Sequence, residues 1–110
     1  MSHAQPELLQ GTLDLLILKT LAVESLHGWG IAKRIQHSSR DILRINQGSL
    51  YPALYRLRDR GLVGARWGTS AEGRRVKIYE LTANGRGHLD QETANWEMVS
   101  AAVNHVLSGA

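Results

Sequence analysis

Apolar residues recur at helical spacing in four stretches of the chain, which predicts four helices. Residues 8–24 are apolar on more than one face, a pattern typical of a helix that is buried on two sides. A short second helix is predicted over residues 30–38, where two isoleucines four positions apart share a face. The third helix is predicted over residues 47–60 and the last over residues 83–107, with Thr82 as its N-cap.

The third helix carries a regular apolar stripe and has a clear end. The stripe is formed by Leu50, Leu54 and Leu57. Gly61 suits the left-handed position that closes a helix. The start is open between two N-caps: Asn46 is a good cap but places Pro52 deep in the helix, whereas Ser49 keeps that proline within the first turn.

Alternating residues predict a β-hairpin before the last helix. Residues 63–69 and 74–81 have strand patterns, and residues 70–73 form a turn in which Gly73 can adopt a positive φ. Residues 42–45 allow a short extended piece. Because two strands alone are marginally stable, we expect the hairpin to pack on the helices.

The last helix carries an apolar seam that repeats every 3.5 residues. Its members are Leu89, Trp96, Val99, Val103 and Val106. Such a seam is typical of a helix that pairs with another helix. The first helix also has more apolar surface than a chain of this length can bury alone. We therefore expect a homodimer with these five residues in its interface.

The order helix, helix, helix, hairpin, helix is that of a winged helix-turn-helix domain followed by one further helix. The predicted fold class is therefore mainly α with a small β-hairpin. We expect a DNA-binding domain over residues 1–82 and a C-terminal dimerisation helix over residues 83–110. In such domains the third helix enters the major groove of DNA, and the hairpin, or wing, reaches along the backbone or into the minor groove.

Charge is concentrated in the middle of the chain. Residues 33–77 hold eleven Lys or Arg against three acids, a net charge of +8, whereas residues 1–32 sum to −2 and residues 78–110 to −3. This asymmetry favours a surface that faces a polyanion such as double-stranded DNA. The alternative is that these cations lie on ordinary solvated helix faces.

Ten residues of this basic middle segment are candidate DNA contacts, because they lie at the start or off the stripe of the third helix, at the start of the second, or after the hairpin turn. They are Lys33, Arg34, Ser49, Tyr51, Pro52, Tyr55, Arg56, Arg74, Arg75 and Lys77. Tyr51 and Tyr55 have an alternative place at the edge of the core. The three hairpin cations have an alternative role in solubility alone.

Several short runs together resemble the PadR family of transcriptional regulators (phenolic-acid-decarboxylase repressor type) over residues 8–107. The runs are Leu9-Gln10-Gly11-Thr12-Leu13, His27-Gly28-Trp29-Gly30-Ile31, Gly48-Ser49-Leu50-Tyr51-Pro52-Ala53-Leu54, Gly73-Arg74-Arg75 and Leu81-Thr82-Ala83-Asn84-Gly85. The resemblance is to the branch with a single C-terminal helix. It implies a homodimer, formed through the first and last helices, that represses transcription at an inverted-repeat operator.

The same resemblance implies a site for a planar aromatic effector. Some multidrug-sensing members of the branch stack flat ligands on a tryptophan of the last helix at the dimer interface, and Trp96 falls at that place. Leu8 and Leu15 would line the same site. The alternative is that Trp96 serves interface packing alone.

Other functions find little support in the sequence. The chain has no cysteine, and its five histidines lack metal-ligand spacing, so we expect no metal and no cofactor. No nucleophile–base pair can be argued, so we expect no enzyme activity. We expect a cytoplasmic protein without a membrane segment. Two rival hypotheses are a protein-interaction adaptor, which has no need of the basic segment, and an aromatic-ligand-binding protein with a secondary DNA role.

Overall fold

A computed structural model describes residues 8–109 of the chain. The elements in this range are α1 Gln10–Val23, β1 Leu26–His27, α2 Gly28–Ser38, α3 Gln47–Asp59, β2 Val63–Thr69, β3 Arg75–Leu81 and α4 Ala83–Leu107. They confirm the predicted fold class, mainly helical with a small antiparallel sheet. Of the two predicted domains, residues 1–7 and 110 lie outside the described range.

The sheet has one strand more than the sequence predicted. β1, only two residues long, pairs antiparallel with β3, with Leu26 opposite Tyr79 and His27 opposite Ile78, and the strand order is β1-β3-β2. Two residues are too few to show an alternating pattern, so this strand exists only through its partner. It leads directly into α2, which begins two residues earlier than predicted.

The start of α3 is the earlier of the two that the sequence left open. The Asn46 side chain accepts a hydrogen bond of 2.9 Å from the backbone N–H of Ser49, so Asn46 is the N-cap and Pro52 stands inside the helix. A proline there removes the donor for the carbonyl of Gly48. Both residues are exposed, so water can hydrogen-bond that carbonyl. The exposed carbonyl is why the helix tolerates Pro52 at this position.

The core lies where α1 crosses the other helices and the sheet. Fully buried Ile17 and Leu18 of α1 belong to one apolar cluster with the leucine stripe of α3, with Ile31 of α2 and with Tyr79 of β3. Gly61 ends α3 with φ +75°, as predicted. This packing fixes the wing and α3 against the same central helix.

The last helix begins in the core and then leaves it. Thr82 caps α4, its hydroxyl accepting a hydrogen bond of 2.9 Å from the N–H of Gly85. Gly85 packs so closely on the backbone of Leu62 that any side chain would collide with it. After Leu89, which is buried, the apolar residues of α4 are exposed. About half of this helix therefore packs against no other element among residues 8–109.

Candidate nucleic-acid interface

The wing presents an aromatic side chain and two cations on one face. Trp67 of β2 lies directly opposite Lys77 of β3 in the ladder, and Thr69 lies opposite Arg75. Because alternate residues of a strand share a face, Trp67, Lys77 and Arg75 point to the same side, whereas Arg66 points to the other. The turn between the strands uses Gly73 at φ +82°, as predicted.

A groove of about 520 Å³ separates this face of the wing from the helices. Its walls include Trp29 from the start of α2, Tyr51 from α3, and Trp67 with neighbouring wing residues. Three of the predicted DNA contacts border the groove from the wing: Arg74, Arg75 and Lys77. One acid, Glu72, lies in the same rim, so cations outnumber it and the groove is suited to an anionic ligand.

Four of the five predicted contacts on α3 divide into two groups. Ser49, Pro52 and Tyr55 are exposed at the solvent side of the helix. Tyr51 is half-buried, and its ring lies so close to Gly28 that a Cβ there would come within 2.6 Å of the Tyr51 hydroxyl. Tyr51 therefore packs α3 on the start of α2 while also lining the groove, which combines the two placements that the sequence left open.

The two predicted contacts on α2 also differ. Lys33 is exposed, with its Nζ 5.7 Å from the ring centroid of Trp29. Arg34 forms an ion pair with Glu24, which follows α1. Both partners of that pair are more than a third exposed, so it contributes little to stability.

Arg56 does not have the outward position that the sequence predicted. Its Nη2 donates a hydrogen bond of 3.0 Å to Oδ1 of Asp14 on α1, and its Nε is buried without a hydrogen-bond partner in the described chain. The reason is that α1 covers this side of α3. Arg56 thus turns toward α1, although its side chain is still 36% exposed, and its contact with DNA stays a prediction. The signal that could have found this is Asp14, the one carboxylate of α1, since a buried carboxylate needs a cation.

The surroundings of Asp14 act in opposite directions on its charge. Burial raises the pKa of Asp14 above its ordinary value, and this effect outweighs the lowering by Arg56, Arg60 and His88. The net direction means that removal of the carboxylate from water costs more than the pair recovers. Asp14 and Arg56 thus join α1 to α3 through a partly buried pair, in which loss of the arginine alone would leave a carboxylate that is only 12% exposed.

A second groove, of about 660 Å³, lies between α1 and α4. All three residues predicted to line a ligand site, Leu8, Leu15 and Trp96, border it. Trp96 is 49% exposed in the single chain. More than half of the residues that line the groove are apolar, and Lys19, Asp90 and Glu97 also line it.

The predicted interface residues of α4 do not all lie on one surface. Four of them are exposed in the single chain and so are free to contact a second subunit: Trp96, Val99, Val103 and Val106. Leu89 is only 6% exposed and belongs to the core of its own chain. It offers a dimer partner little surface, because the first two turns of α4 pack on α1, and its place in the interface stays a prediction.

Residues 17–91, which include the three-stranded sheet, α2 and α3, match the model of the transcriptional regulator PadR-like family. The chain belongs to the PadR-like family. Members of this family are transcriptional regulators, which confirms the resemblance found in the sequence and the prediction that the chain is not an enzyme.

Solved structures agree with the family assignment. A PadR-like transcription factor from Bacteroides fragilis is 31% identical, with a TM-score of 0.72 over 88% of this chain and 91% of that one. A PadR-like transcriptional regulator from Bacillus cereus is 28% identical, with a TM-score of 0.77 over 92% and 96%. A protein from Streptococcus mutans is 26% identical, with a TM-score of 0.80 over 99% and 95%.

The sequence analysis proposed no functional role for three residues that the structure places at or near the candidate interface. Asp14 accepts a hydrogen bond from Arg56. Two exposed tryptophans, Trp29 and Trp67, line the groove that also contains Arg74, Arg75 and Lys77. Isolated aromatic residues give no periodic signal, so only their cationic neighbours could have marked them.

Among residues 8–109, every helix is too short or too polar to cross a lipid bilayer.

Proposed function

We propose that this PadR-like regulator is a dimeric repressor that binds an inverted-repeat operator in double-stranded DNA. The observation that carries the proposal is the shared groove, which the wing cations and Tyr51 of α3 border together. A duplex needs both parts: cations along its backbone to fix position, and side chains at a helix start to reach base edges.

The roles follow from where each side chain lies. Phosphates beside the wing would be neutralised by Arg74, Arg75 and Lys77. Lys33, on α2, would neutralise a further phosphate. Ser49 and Tyr55, exposed on α3, would face the major groove. Two copies related by a two-fold axis would place their α3 helices about 34 Å apart, on successive turns of the duplex.

The exposed half of α4 supports the dimer. Six large apolar residues of α4 are open to solvent, four of them in the predicted seam, and beside them the α1–α4 groove exposes further apolar surface. Continuous apolar patches of this kind mark association surfaces. A second copy of α4, packed against α1 and α4 of the first, would cover both in one symmetric interface.

Removal of one wing cation tests the DNA interface. We expect Arg75→Ala to weaken binding to operator and random duplex alike, and to reduce the slope of log affinity against log salt by about 0.9 for each subunit. Arg66→Ala is the matched control, because Arg66 is an exposed arginine of the same hairpin on the opposite face. Fluorescence anisotropy at several salt concentrations measures both slopes.

The wild-type chain must itself show specific, salt-dependent DNA binding. It should retard a fragment of the DNA upstream of its own gene more strongly than random duplex, and salt should weaken the binding. Equal binding to both fragments would remove sequence-specific regulation from the proposal, and no salt-dependent binding to either would remove the DNA interface.

We further propose that the α1–α4 groove takes a planar aromatic effector. In the dimer the two Trp96 indoles would face each other across the axis, and Leu8 and Leu15 would close the slot with apolar walls. Flat aromatic compounds, cationic ones included, would stack there with little selectivity. An effector between the helices would change the spacing of the two α3 helices and so release the operator.

Dye titration of tryptophan variants tests the effector site. We expect planar dyes to bind the wild-type protein at micromolar concentration and Trp96→Ala at least about ten-fold more weakly, given a stacking contribution of roughly 1 kcal/mol from each of two indoles. Trp29→Ala, which removes an exposed indole from the other groove, should bind like wild type. Equal affinity of Trp96→Ala and wild type would leave Trp96 as a packing residue.

A further inference from the structure

Trp67 is a large apolar side chain in an unusual place. It is 57% exposed on the wing, and it does not belong to the buried core. At this exposure the indole contributes little burial to the fold, so its role depends on what lies around it on the wing.

Two cations lie against its ring. The guanidinium carbon of Arg75 is 4.4 Å from the centroid of the Trp67 indole, and the Nζ of Lys77 is 5.5 Å from it. Both distances are within the range in which a cation is attracted to an aromatic face. The strand register produces this arrangement, since Lys77 is directly opposite Trp67 and Arg75 is its diagonal neighbour.

The same combination occurs on the opposite wall of the groove. There Trp29, also 57% exposed, has the Nζ of Lys33 5.7 Å from its ring centroid. Two elements far apart in the chain thus hold their cations against exposed indoles at the rim of one groove. Arg66, on the other face of the hairpin, has no such aromatic contact among the described residues.

We propose that Trp67 is a positioning residue of the DNA interface, which holds Arg75 and Lys77 side by side in the orientation that meets the phosphate backbone. This inference rests on the DNA interface proposed above. Free arginine and lysine side chains on a hairpin lose conformational freedom when they bind a phosphate. An indole that restricts them beforehand lowers that loss and so increases affinity.

The proposal predicts a loss of DNA affinity without any change in the number of cations that contact phosphate. Trp67→Leu keeps every cation, so we expect DNA affinity to fall by about ten-fold while the salt slope stays that of wild type. Trp67→Phe restores an aromatic face and should recover most of the loss. Because Trp67 is largely exposed, thermal unfolding of both variants should remain close to wild type.

A double-mutant cycle tests whether the indole acts through the cations. Trp67→Leu should cost much less in a background of Arg75→Ala and Lys77→Ala than in wild type. If the cost is the same in both backgrounds, the indole contacts DNA directly or supports the wing, and the positioning role is refuted. A Trp67→Leu protein that binds like wild type refutes it as well.

A measurement without DNA keeps this inference separate from the proposed function. In the free protein, the side-chain protons of Arg75 should show an upfield NMR shift from the indole ring, which Trp67→Leu abolishes, and Arg66 should show none. If the shift is present and wild type binds no DNA, the cation contact is real but the interface proposal fails, and the positioning role fails with it. If the shift is absent and wild type binds DNA, only the positioning role fails.

Discussion

Introduction of two carboxylates into the exposed seam of α4, by Val99→Asp and Val103→Asp together, is expected to dissociate the dimer and abolish operator binding. Both valines are close to half exposed in the single chain, so the monomer should keep its fold. In a symmetric dimer the double variant would bury four unpaired like charges. We expect the dissociation constant of the dimer to rise on the order of 1,000-fold or more.

The loss of DNA binding would follow from the loss of the dimer. A monomer presents one α3 helix and one wing, so it makes half of the contacts that an inverted repeat offers. Substitution is a cleaner test than truncation of α4, because Leu89 belongs to the core and a cut before it would damage the fold.

Sedimentation velocity at tens of micromolar, with DNA binding in parallel, measures both effects. Ala101→Asp is the matched control, since Ala101 is an exposed residue on roughly the opposite side of the same helix and should leave a dimer. A wild-type chain that sediments as a monomer, or a double variant that remains a dimer, would contradict the proposed interface.

Loss of one partner from the Asp14–Arg56 pair is expected to cost more stability than loss of both. In Arg56→Met the carboxylate of Asp14, whose side chain is only 12% exposed, is left without its hydrogen-bonded cation. We expect the free energy of unfolding to fall by roughly 2 to 3 kcal/mol at neutral pH, somewhat below the range for fully buried pairs because Arg56 is about a third exposed. The double replacement Asp14→Leu, Arg56→Met should be close to wild type or more stable.

The pH dependence gives this prediction a definite sign. Burial already raises the pKa of Asp14, and loss of Arg56 should raise that pKa further. A carboxyl with a raised pKa binds its proton more tightly in the folded state, so the free energy of unfolding falls as pH rises between the unfolded and folded pKa values. The defect of Arg56→Met should therefore be large at pH 7 and smaller toward pH 4.

Urea denaturation at both pH values, followed by circular dichroism, measures the effect. Arg58→Met is the matched control, because Arg58 is an exposed arginine two positions along α3 and should change stability little. If Arg56→Met has the same stability as Arg58→Met at pH 7, or if its defect grows toward pH 4, the account of the pair is wrong.

The sequence by itself determined the features that depend on near neighbours in the chain. Thr82 caps α4 because its hydroxyl reaches an N–H three residues on, and Gly61 and Gly73 mark positions where φ is positive. The leucine stripe of α3 and the two hairpin strands follow from periodicity, which is a local property. These rules, together with the charge of the middle segment and the PadR-like motifs, were sufficient for the fold class and the family.

Only the tertiary structure decided the features that depend on which element lies opposite. β1 is a strand because β3 pairs with it, and Leu89 is core because α1 covers it. Arg56 turns inward because Asp14, 42 residues away, has no other hydrogen-bonded cation in the described structure. Helical spacing identifies the buried stripe of a helix. It does not show whether a residue beside that stripe faces solvent or a second helix. The energy of a buried charge is set by its neighbours in space, so the inward and outward cations of α3 were separated only by packing.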